Sequence, residues 1–189
     1  MSFNFINFQL LTKMIDFKTI VWLLPLVFMF HDFEEIIFFK SWLAKNKGSL
    51  SKRFPRLSKP LIARFENLSV QAFSLAVAEE FVLLSLVTVL SVLFESYLLW
   101  LGVFMGFFIH LLVHVVQWIV FRKYIPAICT SVVSLGYCFF SLNFILKNDL
   151  FETKEIIIWT FIGLAIMVFN LLFAHKLAAW FDKKLKIES

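Results

Sequence analysis

Charge, glycine, proline and cysteine are all scarce in this chain of 189 residues. Only 16% of residues are charged, and there are 5 Gly, 4 Pro and 2 Cys. Soluble domains carry about 25% charged residues, so a soluble globular fold is excluded. A disordered chain needs more charge and polarity than this, and a disulfide scaffold needs far more cysteine. Cys129 and Cys138 lie nine residues apart on one predicted helix. That spacing turns them about 180° and separates them by about 13 Å, too far to bond. No cleavable leader is expected, since the first twelve residues hold no Lys or Arg and no A-x-A-like site follows the first apolar run. Segments of about ten residues with alternating polarity, the mark of a transmembrane barrel, are missing too.

What is abundant is apolar. The hydrophobic fraction is 61%, with 26 Phe, and the mean hydropathy is +0.87. Long apolar runs of this kind predict an all-α polytopic membrane bundle. Five runs are long enough to span a bilayer, at about 19–40, 68–94, 97–121, 124–146 and 155–176. Residues 1–18 mix Phe, Ile and Leu with polar groups and read as an interfacial segment or a frayed terminus. Residues 40–66 read as the one sizeable loop, basic and broken by Pro55 and Pro60, and 177–189 as a basic tail.

The net charge of +5 does not point to nucleic acid, because the basic residues sit between the apolar runs. With the 40–66 loop placed in the cytoplasm, 14 of the 18 basic residues fall on that side. Lys13, Lys18, Lys147 and Lys154 fall on the other. The positive-inside rule then puts the N-terminus outside and the C-terminus in the cytoplasm. All six Trp lie near predicted span ends, where the ring favours the headgroup level.

Against this background the spans hold an expensive polar set. The first carries His31, Asp32, Glu34 and Glu35, the second Glu79 and Glu80, the third His110, His114 and Gln117. Five ionised acids at the bilayer centre would cost about 12–18 kcal/mol on insertion scales. No Lys or Arg shares their depth. Either several are protonated, or a cation is bound.

Helix geometry decides which groups meet. His31, Glu34 and Glu35 stand at i, i+3 and i+4 and share a face, with Asp32 on its flank. Gly102, Gly106, His110 and His114 follow an i+4 series, a small-xxx-small face leading into two histidines. Measured from the cytoplasmic span ends, His31 lies roughly 13 Å deep, Glu35 8 Å, Glu79 and His110 18 Å and His114 12 Å. Three polar faces therefore meet at one depth. Asn170 and His175, further on, read as interfacial.

Imidazole with carboxylate suits a divalent transition metal, zinc or iron, and two ions would offset most of the acidic charge. The expected ligands are His31, Glu34, Glu35, Glu79, Glu80, His110 and His114. A glutamate left off the metal, Glu35 or Glu80, would be the general base. The Phe-rich surroundings suggest a lipid-like or other apolar substrate, with membrane lipid as the other partner. Two alternatives stay open. One is a cation- or proton-coupled carrier using the same groups. The other is an accessory subunit with a structural polar core.

His31-Asp32-Phe33-Glu34-Glu35 resembles the motif that names the HXXEE family of small bacterial membrane proteins. Glu79-Glu80, His110-x-x-x-His114 and the stretch Tyr124 to Thr130 are similar to its later polar signatures. That family tends to have Gly after the Pro, where this chain has Ala127. The resemblance covers roughly residues 20 to 150. It implies an enzyme of the bacterial cytoplasmic membrane and specifies no reaction.

Overall fold

A computed structural model describes residues 16–188; the expected interfacial segment at 1–18 lies outside them up to residue 15, and Phe17 and Lys18 already belong to the first helix. The described residues form six α-helices and no strands: α1 (Phe17–Arg53), α2 (Pro55–Phe65), α3 (Val70–Leu93), α4 (Leu98–Phe121), α5 (Ile128–Lys147) and α6 (Thr153–Glu188). Four of them, α3 to α6, are long and apolar enough to cross a membrane. α1 is long enough too, at 37 residues, but its middle carries Asp32, Glu34 and Glu35. Many large apolar side chains face outward, among them Leu86, Phe161 and Phe169, the last 74% exposed. Such a surface is compatible with lipid rather than water as the surroundings.

The expected loop at 40–66 is instead mostly helical. α1 runs on through Lys40, Gly48 and Lys52, with Pro25 also inside it, and ends only at Arg53, ahead of Pro55. Phe54 breaks it, at φ −133° and ψ 59°, since a residue before proline is pushed out of the α region. Pro55 then opens α2 at a position where its missing N–H costs nothing. Pro60 lies inside α2 and does not end it. The last helix likewise runs past 176 to Glu188.

Contacts at the ends show that the five long helices alternate in direction. At one end Lys18, starting α1, pairs with Glu95 after α3 at 2.8 Å. At the other, Arg53 donates to the carbonyls of Phe121 and Val120 at 2.8 and 2.9 Å, satisfying the last turn of α4. Trp42 donates to the Tyr124 carbonyl at 2.7 Å, Lys47 pairs with Glu66, and Lys186 of α6 reaches the Asn67 carbonyl at 3.0 Å. Most basic residues therefore gather at this second end.

The most extensive packing is between α4 and α6, and glycine makes it close. A Cβ built on Gly163 would stand 1.8 Å from the Gly102 carbonyl oxygen, and one on Gly106 would stand 3.3 Å from that of Gly163. The small face of α4 is thus used within the chain. It is not the same face as the histidines. Each i+4 step rotates about 40°, so Gly102 and His114 stand about 120° apart, and the series turns from α6 towards α1. Trp100 departs from the expected headgroup position. It is fully buried and stacks on Phe104 with centroids 5.1 Å apart.

Candidate metal centre

Two stripes of α1 carry its polar groups. His31 and Glu34, three residues apart, face α5. Phe28, Asp32, Glu35, Phe39 and Trp42 recur at heptad spacing and face a cavity. The face expected to unite His31, Glu34 and Glu35 is split between these two directions.

The stripe facing α5 is anchored by three donors. Glu34 accepts from the Tyr124 hydroxyl at 2.8 Å, from the Thr130 backbone N–H at 2.8 Å and from the Thr130 hydroxyl at 2.7 Å. This fixes α1 to the start of α5. The backbone there is unusual. Ala127, fully buried, has φ 74° and ψ −10°, the left-handed conformation that turns the chain into α5.

Beside this anchor the three histidines converge. His31 Nε2 lies 3.3 Å from His110 Nε2, and His114 Nε2 lies 3.0 Å from His110 Nε2. One ligand-type nitrogen from each falls within 4.8 Å of the other two. His110 packs edge to face against both His31 and His114, with centroids 5.3 and 4.5 Å apart, while His31 and His114 are tilted to each other. Two carboxylates approach the same nitrogens. Glu35 Oε1 is 3.3 Å from His114 Nε2, and Asp32 Oδ1 is 3.8 Å from His31 Nε2. Zinc–nitrogen bonds of about 2.0–2.1 Å set tetrahedral ligand atoms about 3.3 Å apart. The three separations His31–His110, His110–His114 and His114–Glu35, at 3.3, 3.0 and 3.3 Å, are close to that edge, and the Asp32 oxygen at 3.8 Å is beyond it.

Hydrogen bonding alone leaves this cluster unsatisfied. A neutral imidazole has one N–H and one acceptor nitrogen. The buried Nδ1 of His114 and Oδ2 of Asp32 have no hydrogen-bond partner among the described residues. Asp32 is 4% exposed. A cation held by the three Nε2 atoms would take their facing lone pairs, while Nδ1 of His114, on the far side of its ring, and Asp32 Oδ2 would stay unpartnered. The donor set therefore fits a divalent ion.

The other expected ligands lie elsewhere. Glu80 lines the same cavity as Asp32, Glu35, His110 and His114. Glu79, its neighbour, turns to α6 and accepts from the Asn170 side chain at 3.3 Å. The cavity holds about 680 Å³ and reaches Ser58 and Phe65 of α2 at one end and Val87 and Leu99 at the other.

Helical spacing alone leaves Asp32 on the flank and gives no sign of the contribution of Thr130. The Asp32–Glu35 spacing of i, i+3 is the available signal for the first. Asn170 and His175, read from the sequence as interfacial, line the cavity.

The family model described as protein of unknown function with HXXEE motif matches residues 22–141. The chain belongs to the HXXEE family. The named motif is His31 to Glu35, and the matched stretch includes His110, His114 and Thr130 but not α6. In this HXXEE protein the residues of the motif play separate parts. His31 and Glu35 approach the other imidazoles, while Glu34 holds α5. No curated protein and no solved structure matches the chain.

Proposed function

We propose that this HXXEE protein is an intramembrane metal-dependent enzyme acting hydrolytically or oxidatively on a lipid-like substrate. In this reading it spans the bacterial cytoplasmic membrane five times, α1 included, with its N-terminus outside and its C-terminus in the cytoplasm. The gathering of basic residues at one end of the bundle supports that orientation. His31, His110 and His114 hold one divalent ion, zinc or iron, and Glu35 supplies the fourth ligand.

The observation that carries this reading is the approach of three imidazole nitrogens and one carboxylate oxygen at 3.0–3.3 Å. They stand on the wall of an apolar cavity within a bundle whose outer face suits lipid. Such an ion, when bound, supplies Lewis acidity towards water or a polarised oxygen. The chain's own groups do the rest. The histidines and Glu35 fix its position, Glu80 on the cavity wall accepts the proton, and the surrounding Phe side chains exclude bulk water.

The test is metal analysis of the full chain purified in detergent, beside His110→Ala. About one ion per wild-type chain and background content in the variant support the reading. Background metal in both overturns it and favours the carrier, for which the unpartnered Asp32 carboxylate on the cavity wall is the supporting observation.

A further inference from the structure

The ionisable lining of the cavity is one-sided. It comprises the carboxylates Asp32, Glu35 and Glu80 and the imidazoles His110, His114 and His175. No Lys or Arg lines it among the described residues, although the chain carries 18. One divalent ion at the histidines would leave the three carboxylates in excess of its charge. An anion entering this space meets repulsion in a medium of low dielectric, where charges interact strongly.

Apolar side chains line the cavity on both sides of the belt formed by Asp32, Glu35 and Glu80, but on the α2 side they are mixed with Ser58, Gln117 and His175, whereas the other side is wholly apolar. α1 and α4 both run from the Lys18–Glu95 end, and α3 runs towards it. Phe28 precedes Asp32 by one turn, Leu84 and Val87 follow Glu80, and Leu99, Val103 and Phe107 precede His110. These apolar residues form one compartment between the polar belt and the Lys18–Glu95 end. From Leu99 to His110 the compartment extends about 16 Å along α4. At the belt, Asp32 is 4% exposed, and its unpartnered Oδ2 belongs to a side chain that lines the cavity.

We propose that the cavity binds a single-chain membrane amphiphile, tail towards the Lys18–Glu95 end, whose head is uncharged and stands at the belt of Asp32, Glu35 and Glu80. Glu80 acts as the specificity residue that turns anionic heads away. The identification of this amphiphile as the substrate rests on the metal-enzyme reading; its binding in the apolar compartment does not, and its discrimination against anions needs only one belt carboxylate ionised. An alcohol, ester or amide head supplies a donor or a polarisable oxygen to the belt. An ionised phosphate or carboxylate head brings a charge of the sign that the belt already carries.

The experiment uses the full chain in nanodiscs and two photoreactive probes with the same alkyl chain, about 16 Å long and tipped with a diazirine. One probe ends in a hydroxyl, the other in a phosphate. Adducts are mapped by peptide mass spectrometry. The alcohol is expected to label Phe28, Leu84, Val103 or Phe107 at least about tenfold more than the phosphate does, as repulsion by an unscreened carboxylate requires. Both probes should label the outward Leu86, Phe161 and Phe169 equally. Glu80→Gln, which keeps the side chain's shape, should raise phosphate labelling inside the cavity, and Glu80→Lys should raise it further. Equal cavity labelling by both probes, or labelling of the outer face alone by the alcohol, overturns the proposal. So does a Glu80→Gln variant with unchanged selectivity. Metal content is read on the same samples. Selective labelling of a chain without metal keeps the amphiphile and removes the enzyme; metal without selective labelling does the reverse.

Discussion

Glu34 and Thr130 are joined twice, by the Thr130 backbone N–H and by its hydroxyl, at 2.8 and 2.7 Å. The hydroxyl has one hydrogen, and the carboxylate takes it. Its oxygen is then left to accept, and His31 Nδ1 lies 3.4 Å away. The arrangement favours the proton on Nδ1 of His31, where Thr130 Oγ1 and Ser131 Oγ at 3.5 Å can both accept, and leaves the Nε2 lone pair towards His110 Nε2. A carboxylate, a hydroxyl and an imidazole in series bias the tautomer of the ring.

From this follows the behaviour of Thr130→Val, which keeps the shape and removes the hydroxyl. Metal affinity should fall about 10–100-fold, the usual cost of losing an outer partner of a ligating imidazole. Thr130→Ser should restore it. Competition titration with a chromophoric chelator reads both. Unchanged affinity in Thr130→Val would show that His31 needs no such support.

Glu34 and Glu35 are adjacent in sequence but should respond differently to the same change. Glu34→Gln keeps an oxygen for the two Thr130 donors and turns its NH2 to the Tyr124 hydroxyl, which can accept, so the bonds lose their charge assistance. We expect a stability loss of about 1–3 kcal/mol, read as a lower Tm in detergent, with metal stoichiometry kept. Glu35→Gln should lose the ion while the bundle stays folded, because it removes one buried charge and preserves the shape. Metal loss in Glu34→Gln at unchanged Tm would reverse these roles.

How much of this is legible in the sequence depends on whether one helix or two are needed to see it. The helices themselves are readable from apolar runs, and α3 and α4 begin and end within two residues of the expected bounds. The convergence of His31, His110 and His114 follows from depth alone. The split of the motif does not. Glu34 lies within 100° of both His31 and Glu35 on a helical wheel, and only the position of α5 decides which it joins. The helical character of 40–66 is hidden by its prolines. Pro55 restarts a helix as readily as it stops one, and nothing in the sequence tells the two apart.

Ala127 holds a φ of 74°, where a side chain with a Cβ costs about 1–2 kcal/mol. Ala127→Gly should relieve that strain. The gain is reduced by the greater freedom of glycine in the unfolded chain and by the lost burial of a methyl group. With about 0.5–1 kcal/mol for the first and about 0.8 kcal/mol for the second, a net change within about 1 kcal/mol of zero is expected, with metal content unchanged. A lower Tm for the variant would show that the methyl contact outweighs the backbone strain.

The α4–α6 contact gives the sharpest steric test. A Cβ on Gly163 would stand 1.8 Å from Gly102 O and 2.3 Å from Gly102 C, both backbone atoms that cannot rotate away. Gly163→Ala must therefore push α6 from α4. Overpacking of this kind costs about 1–3 kcal/mol. Gly136, where an added Cβ meets nothing within 4 Å, provides the control: Gly136→Ala should be neutral or stabilising, because alanine is the better helix former. α6 also carries Asn170 and His175 on the cavity wall, whereas His31 and Thr130 lie on α1 and α5. Displacing α6 should therefore weaken amphiphile labelling more than metal binding. Parallel loss of metal and labelling in Gly163→Ala would mean that the histidine cluster depends on α6 as well, and that the site and the cavity form one cooperative unit.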